Sequence, residues 1–292
     1  MGVFLYKCDI LKPIMIIDGK RMADGIIDEL KKRPDQKKFL AAILVGDDPG
    51  SIAFLRQKEK VAEELDIEFQ LHKFPERVSR ETLRRSMDKI TGRRMCGGLI
   101  VQLPLPSHIN MHYILNAIPR EEDTDVLSER ALGSFYAGRG VGLPPAVGTL
   151  ITILASEMKT SDGEEAEMAS WHVQDKKVAV VGLGFLVGRP IATWLIGKSR
   201  EAHFLDKGSD FSVLQSMDIV ILGTGHAHLV NAGMFKKDAL VIDFGYARKG
   251  KDTLGDFDPT NVPDTMKYTP TPGGTGPILV ARLFKNFYDL NK

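Results

Sequence analysis

Only two cysteines, Cys8 and Cys96, occur in 292 residues, and they lack CxxC spacing. That excludes a disulfide framework and a thiolate metal pair, and it fits a reducing cytoplasm. No charge of one sign dominates: the formal net charge is +1, which gives no reason to expect nucleic acid or an anionic membrane surface as partner. No apolar run approaches the length that spans a bilayer. Residues Met1 to Pro13 include Lys7, Asp9 and Lys12 and have no long apolar core, so they read as an extension of unknown use rather than a signal peptide. Internal repeats and low-complexity segments are lacking too. What remains is 43% hydrophobic and 26% charged, the balance of a soluble globular protein. The length suits one large or two ordinary domains.

Helical and strand-like segments alternate along most of the chain, which predicts α/β architecture with a mostly parallel sheet. Met15 to Gly19 reads as a strand-like entry. Leu40–Val45 is a buried-strand run closed by the turn Gly46-Asp47-Asp48-Pro49-Gly50, after which Ser51 stands where a helix N-cap would. A helix to Leu65, a strand over Glu68–Phe74 and a helix over Ser79–Thr91 follow. The polar stretch Glu157 to Asp175, centred on Ser161-Asp162-Gly163-Glu164-Glu165, reads as a loop or linker and marks a domain boundary. Beyond it come strands at Lys177–Val181, Ala202–Leu205, Ile219–Leu222 and Leu240–Asp243, then a last helix from about Pro277 to Leu290.

Four segments could carry chemistry. In Gly98-Leu-Ile-Val101-Gln102-Leu103-Pro104-Leu-Pro106 a buried strand ends in an amide and two prolines. The prolines force the chain out of the sheet, and the carboxyl ends of strands are where ligands bind in open α/β sheets. Gln102 is either a site residue or merely solvated in a stiff loop. Phe54 and Lys58, at i and i+4, share one helix face; Lys58 gains weight over the solvated Arg56 and Lys60 only if that face turns toward Gln102. Glu121-Glu122-Asp123-Thr124-Asp125 is an acidic cluster of the kind that usually caps a helix or a turn. Thr269-Pro-Thr-Pro272-Gly273-Gly274-Thr-Gly-Pro277 exposes backbone N–H groups at a helix start, suited to gripping a ligand.

A further signal is Gly182-Leu183-Gly184-Phe-Leu-Val-Gly188-Arg-Pro190, directly after a strand. Glycines there allow a sharp turn and close approach to a pyrophosphate at a helix N-terminus. The spacing, GxGxxxG, is one residue longer than the commonest fingerprint, and a glycine-rich turn without nucleotide is the other reading. Asp206 at the end of the next strand stands where an acid accepts from an adenosine ribose, which favours NAD over NADP; Lys207 pulls the other way. Gly223-Thr224-Gly225 and the turn ending in Tyr246 fall after later strands and would line the same crevice. His226 and His228 lack a third ligand at suitable spacing, so no metal is expected.

Taken in order, these pieces resemble the methylenetetrahydrofolate dehydrogenase/cyclohydrolase family, from about Ile16 to the end of the chain. The helix entry GxxPxSxxYxxxK appears as Gly46 to Lys58, GLxVQLPLP as Gly98 to Pro106, KDVDG as Glu122 to Val126, GRSxxVGxP as Gly182 to Pro190, and TPVPGGVGP as Thr269 to Pro277. The resemblance implies a folate-binding catalytic domain over 1–155, with the helix 277–292 returning to it. A Rossmann-like doubly wound domain over 156–276 would lie across a cleft, in a cytoplasmic homodimer. It implies oxidation of 5,10-methylenetetrahydrofolate with NAD or NADP, then hydrolysis to 10-formyltetrahydrofolate. Lys58 would be the catalytic lysine, Gln102 would hold it, and Asp125 would bind the pterin. Phe54, Val101, Leu103, Pro272, Gly273 and Gly274 would contact the folate.

Departures from the pattern are informative. Phe54 stands for a tyrosine, which puts the hydrolytic half-reaction in question. Leu183-Gly184 replaces Arg-Ser and removes a phosphate-binding cation; with Asp206 this favours NAD. Val126 and Leu279 replace a usual glycine and threonine, and Leu143-Pro-Pro-Ala-Val-Gly148 departs from PCTPxG. All of these surround the cleft, which leaves room for a modified pterin substrate. The competing readings are a dehydrogenase without cyclohydrolase activity, a two-domain dehydrogenase of a shikimate-type hydroxy acid, and a non-catalytic nucleotide- or pterin-binding paralogue.

Overall fold

The computed structural model describes residues 16–157, 165–250 and 252–292. The extension over residues 1–13, with Cys8, and the centre of the polar stretch at 161–164 lie outside them. The first half runs α1 (Gly19–Lys31), β1 (Phe39–Val45), α2 (Pro49–Glu64), β2 (Phe69–Phe74), α3 (Arg80–Thr91), β3 (Cys96–Val101), α4 (Met111–Leu115), α5 (Glu129–Tyr136), α6 (Pro145–Ser156) and α7 (Glu165–Gln174). The second runs β4 (Lys177–Val181), α8 (Gly188–Leu195), β5 (Glu201–Leu205), β6 (Ile219–Leu222), β7 (Val230–Asn231), β8 (Leu240–Asp243), β9 (Ala247–Lys249), β10 (Asp252–Leu254), β11 (Phe257–Asp258), β12 (Lys267–Tyr268) and α9 (Thr275–Leu290).

Two main parallel sheets result, a three-stranded one in the order β2-β1-β3 and a five-stranded one in the order β12-β8-β6-β4-β5, beside a small parallel pair β11-β7 and an antiparallel pair β10-β9. Strands at the centre of a parallel sheet are covered on both faces and so read as continuous apolar runs. β1, β3, β6 and β8 are buried along their whole length. Their side chains still alternate between two cores. Leu40, Ala42 and Leu44 of β1 join the same cluster as Val178 and Val180 of β4, whereas Ala41 and Ile43 face a separate cluster with α3 and α4. Ala179 and Val181 face a third cluster behind the large sheet. One core therefore runs continuously between the two sheets, built on α1, α6 and α9.

Three local expectations change. The N-cap of α2 is Asp48, not Ser51: its carboxylate accepts the Ser51 N–H at 2.7 Å. Pro49 at the next position has no N–H to leave unpaired. The polar stretch expected as a loop contains α7, whose Ala169 and Val173, at i and i+4, are both fully buried against α6. The strand-like entry is a single bridge, Ile16 to Tyr268, with Ile17 N donating to Tyr268 O at 2.9 Å, and Gly19 already begins α1. The early chain thereby adds to the edge of the large sheet.

α9 decides how the halves meet. At its start Thr275 Oγ1 donates to Asp243 O at the end of β8, 2.8 Å away. Toward its end Phe287 lies on bare backbone: a Cβ on Gly97 or Gly98 would come 2.9 or 3.1 Å from its ring. Asn291 Nδ2 donates to Gly97 O at 2.8 Å, and Asp289 pairs with Arg33 at 2.9 Å. Phe287 is fully buried, so Phe287→Ala is expected to cost about 3–5 kcal/mol. Urea unfolding measures this, and a loss below about 1 kcal/mol would show that the helix end is not held as described.

Candidate active site

The three-stranded sheet ends at a cavity of about 280 Å³. Gln102 extends β3 by one residue, its N–H donating to Ile43 O at 2.9 Å. Its Nε2 donates to Leu103 O at 2.9 Å, which leaves Oε1 to accept from Lys58 Nζ at 3.4 Å. Asp125 Oδ2 lies 3.8 Å from the same ammonium, and the Lys58 and Asp125 side chains are only 12% and 18% exposed. The face of α2 carrying Phe54 and Lys58 does turn toward Gln102. Phe54, Lys58, Val101, Gln102, Leu103 and Asp125 all line this one cavity, and apart from the Lys58–Gln102–Asp125 cluster its wall is apolar.

The turn bearing Asp125 is tightly held. Asp123, fully buried, accepts from Leu127 N at 3.1 Å and Ser128 N at 2.7 Å, and burial raises its carboxyl above the usual range. Asn286 of α9 donates to Thr124 O at 2.9 Å. Val126 follows in the left-handed region at φ 56°, a conformation that costs a non-glycine residue of order 1–3 kcal/mol and is worst for a β-branched one. Beneath the turn, burial pushes the Glu122 carboxyl up to about 7 and, beside it, the Cys96 thiol up to about 12.

Across the cleft the glycine-rich loop closes on itself. A Cβ on Gly182, at φ 89°, would come 2.8 Å from Gly223 O, and one on Gly188 would collide with Gly182 O. Gly184 is open instead, with Gly223 O its nearest neighbour at 4.0 Å. Backbone is therefore bare on the side where a pyrophosphate would approach, and the residues fit a dinucleotide. Leu183 O is taken by Arg189 Nε at 3.0 Å. Thr224, between Gly223 and Gly225, donates from N and Oγ1 to Asp256 Oδ2 at 2.6 and 2.9 Å. Asp256 is buried beside Asp243, whose carboxyl burial pushes up to about 6. Asp206 directly follows β5 and accepts the Lys207 N–H at 2.9 Å. His226 meets Thr224 O at 3.1 Å, and His228 lies 4.0 Å from Asp258.

Tyr246, expected among the cofactor residues, has its backbone beside the Gly223–Gly225 turn, where a Cβ on Gly225 would come 3.8 Å from Tyr246 O, while its ring meets that of Phe54 at 4.8 Å between centroids. The two rings wall a second cavity of about 340 Å³ with Pro272, Gly273 and Gly274, and it shares Phe54, Phe244, Gly276 and Leu279 with the first. Two cavity-lining positions escape the sequence reading. Arg248, on the hairpin β9–β10, lines an outer cavity of about 720 Å³ with Asp48, Ser51 and Tyr246; only its place shortly after the Asp243–Tyr246 turn could have signalled it. Phe185, from the glycine-rich loop, reaches the other half and packs edge-on against His112 at 5.3 Å. An aromatic on such a loop was the available clue.

Chemically, the site pairs one cation, one amide and one carboxylate in a mostly apolar cleft. The carboxylate suits a flat heterocycle rich in N–H groups, and the lysine can move a proton. Comparison with known proteins agrees with this division. Residues 17–125 match the family described as tetrahydrofolate dehydrogenase/cyclohydrolase, catalytic domain, and residues 165–292 match its NAD(P)-binding domain. The chain is 33% identical over 281 residues to the bifunctional protein FolD of Nautilia profundicola, covering 93% of this chain and 95% of the relative. It is also 33% identical over 284 residues to that of Rickettsia bellii, covering 93% and 96%. The FolD methylenetetrahydrofolate dehydrogenase/cyclohydrolase of Campylobacter jejuni superposes with a TM-score of 0.84 at 28% identity, covering 94% of this chain and 97% of that one. The Trypanosoma brucei enzyme, solved with NADP and inhibitor, gives 0.82 at 25% identity, covering 94% and 96%.

The raised Glu122 carboxyl has a thermodynamic consequence. Between the usual glutamate range and about 7 the folded chain holds a proton that the unfolded chain releases, so this group costs stability as pH rises through that window. Glu122→Gln stays neutral. Its melting temperature is expected to gain on the parent between about pH 5 and pH 8. Thermal melts at both pH values check this, and a gap that does not widen counts against it.

Proposed function

Because the chain belongs to the tetrahydrofolate dehydrogenase/cyclohydrolase family, we propose that it oxidises 5,10-methylenetetrahydrofolate to the methenyl form with a nicotinamide cofactor and hydrolyses that product to 10-formyltetrahydrofolate. The observation that carries this reading is the half-buried Lys58 held between Gln102 at 3.4 Å and Asp125 at 3.8 Å. That cluster lines a cavity to which Phe185 and Val187 of the nucleotide loop also contribute.

The nicotinamide supplies a hydride acceptor when bound; the chain's own residues position the substrate against it. Asp125 accepts N–H groups of the pterin, and the Phe54 ring stacks on its face. Gly273 and Gly274 border the route outward, and Arg248 at the mouth suits the carboxylates of the glutamyl tail. Oxidation needs mainly this alignment. Hydrolysis needs proton movement at the one-carbon bridge, which we assign to Lys58, with Gln102 and Asp125 fixing its ammonium. Phe54 offers no hydroxyl to that step.

For the nucleotide site we assign Gly182, Leu183, Gly184, Gly188, Asp206, Lys207 and Gly223–Gly225, with NAD preferred over NADP. The support is Asp206, which repels a 2′-phosphate, and the replacement of the family's loop Arg-Ser by Leu183-Gly184. The domains are divided as 1–155 with the last helix, and 156–276. The cytoplasm is the compartment assigned: the described residues hold no helix long and apolar enough to cross a membrane, and the free Cys96 is buried. A second copy of this chain is assigned to the free edge of β5, where Phe204 and nearby Ile196 are 39% and 64% exposed.

Purified protein with methylenetetrahydrofolate and either NAD or NADP is expected to form reduced cofactor and methenyl product, faster with NAD. No turnover with either cofactor sinks the reading, and faster turnover with NADP sinks the cofactor assignment. Lys58→Ala is expected to slow methenyl hydrolysis at least tenfold while leaving nucleotide affinity within about twofold. Light scattering on the eluting protein is expected to give twice the 32.3 kDa chain mass; a monomer overturns the dimer.

A further inference from the structure

We propose that Val126 is the wall that keeps bulk water from the Lys58–Asp125 end of the cavity, and thereby sets how often the methenyl product is hydrolysed rather than released. The proposal rests on the folate reading above.

The first observation is conformational. Val126 has φ 56° and is 3% exposed. Glycine adopts that conformation freely, and the family's turn usually has glycine there, whereas a β-branched side chain resists it. A valine at this place is tolerated only where its side chain is enclosed by neighbours that hold the turn. The turn is indeed held from both sides, by Asp123 accepting from Leu127 and Ser128 and by Asn286 donating to Thr124 O.

The second observation is where the side chain lies. Val126 lines the cavity next to Asp125, and its Cγ2 would be 3.4 Å from a Cβ placed on Gly142. It thus stands between the Lys58–Asp125 pair and a surface loop, residues 137–142, in which Val141 is 57% exposed. The base of that loop cannot fall inward to close a gap. Leu143 donates to Asn286 Oδ1 at 3.2 Å and accepts from Asn286 Nδ2 at 2.7 Å, so the loop is tied to α9. Removing the valine side chain opens a route from the loop surface to the cluster.

The third observation is that the wall facing this end of the cavity is also without hydroxyls: Leu279, Pro144 and Pro145 line it. A water that enters here is held by the Lys58–Gln102–Asp125 cluster alone, since a buried water needs two or more polar partners and the rest of the wall offers none. The chemistry makes exclusion consequential. Hydride transfer consumes no water. Hydrolysis adds a water oxygen to the methenyl carbon, breaks that carbon's bond to N5, and releases one proton, so its rate follows water access to the Lys58 side of the substrate.

The test compares the parent chain with Val126→Gly and Val126→Ile, using methylenetetrahydrofolate and NAD. Formyl product formed per reduced cofactor is measured alongside methenyl product released. Val126→Gly is expected to raise the ratio of formyl product formed to methenyl product released more than threefold, and Val126→Ile to leave it at or below the parent. A rise of less than threefold in a Val126→Gly protein that melts cooperatively overturns the proposal. If that variant does not fold, Val126→Ala is read against the same threshold, because alanine removes both methyl branches and is not β-branched. A parent chain that forms no reduced cofactor overturns the folate reading itself, a result separate from an unchanged partition.

Discussion

Everything at the site depends on how α9 is buried. Its first turn is bonded to the end of β8 through Thr275, and its last turns rest on Gly97 and Gly98 of β3 through Phe287. Between those ends Asn286 holds both the Asp125 turn and Leu143, while Leu279, Val280 and Leu283 wall the cavity. One helix therefore sets the spacing of the two sheets and the position of the carboxylate across from Lys58. A helix buried on nearly every side can do this because its backbone bonds are internal and its side chains are close-packed, so displacement at one end is transmitted to the other.

The polar cluster is small for the volume it serves. Burying a lysine costs free energy unless its charge is paired and hydrogen-bonded, and here one amide oxygen and one carboxylate supply those partners. The amide is held in turn by Leu103 O, so its orientation is settled before any ligand arrives. Around the cluster, substitutions relative to the family remove hydroxyls and add carbon: Phe54, Val126 and Leu279. They act in the same direction, toward a more apolar cleft.

Much of this was legible in the chain. β1, β4, β6 and β8 show as apolar runs because strands in the middle of a parallel sheet are covered on both faces, and β3 does so because it too is covered on both faces although it is an edge strand. The glycine loop and the Gln-Leu-Pro-Leu-Pro block carry steric and hydrogen-bonding demands that few side chains meet, so their sequence is diagnostic. α6 gives little signal in the sequence because it is mostly apolar and shows no clear 3.6-residue stripe. The signal for α7 is just Ala169 and Val173 within a polar stretch. Ser51 looked like a cap because spacing alone cannot tell which of two neighbouring oxygens reaches the free N–H groups.

Tyr246 marks the boundary most clearly. Its place after a β8 turn suggests the nucleotide side, and its backbone does lie beside Gly225, while its ring reaches Phe54 of the other half. Arg248 and Phe185 likewise owe their positions to where a loop from one half lands on the other. The sequence by itself carried the resemblance to the family and the parallel sheets, because motifs of fixed spacing and apolar strand runs are local, and through that resemblance it singled out Lys58, Gln102 and Asp125 as candidates. Only the tertiary structure decided that these three meet at 3.4 and 3.8 Å, and that Val126 is enclosed in a conformation valine avoids. Such facts arise from contacts between segments far apart in the chain, which no local pattern encodes.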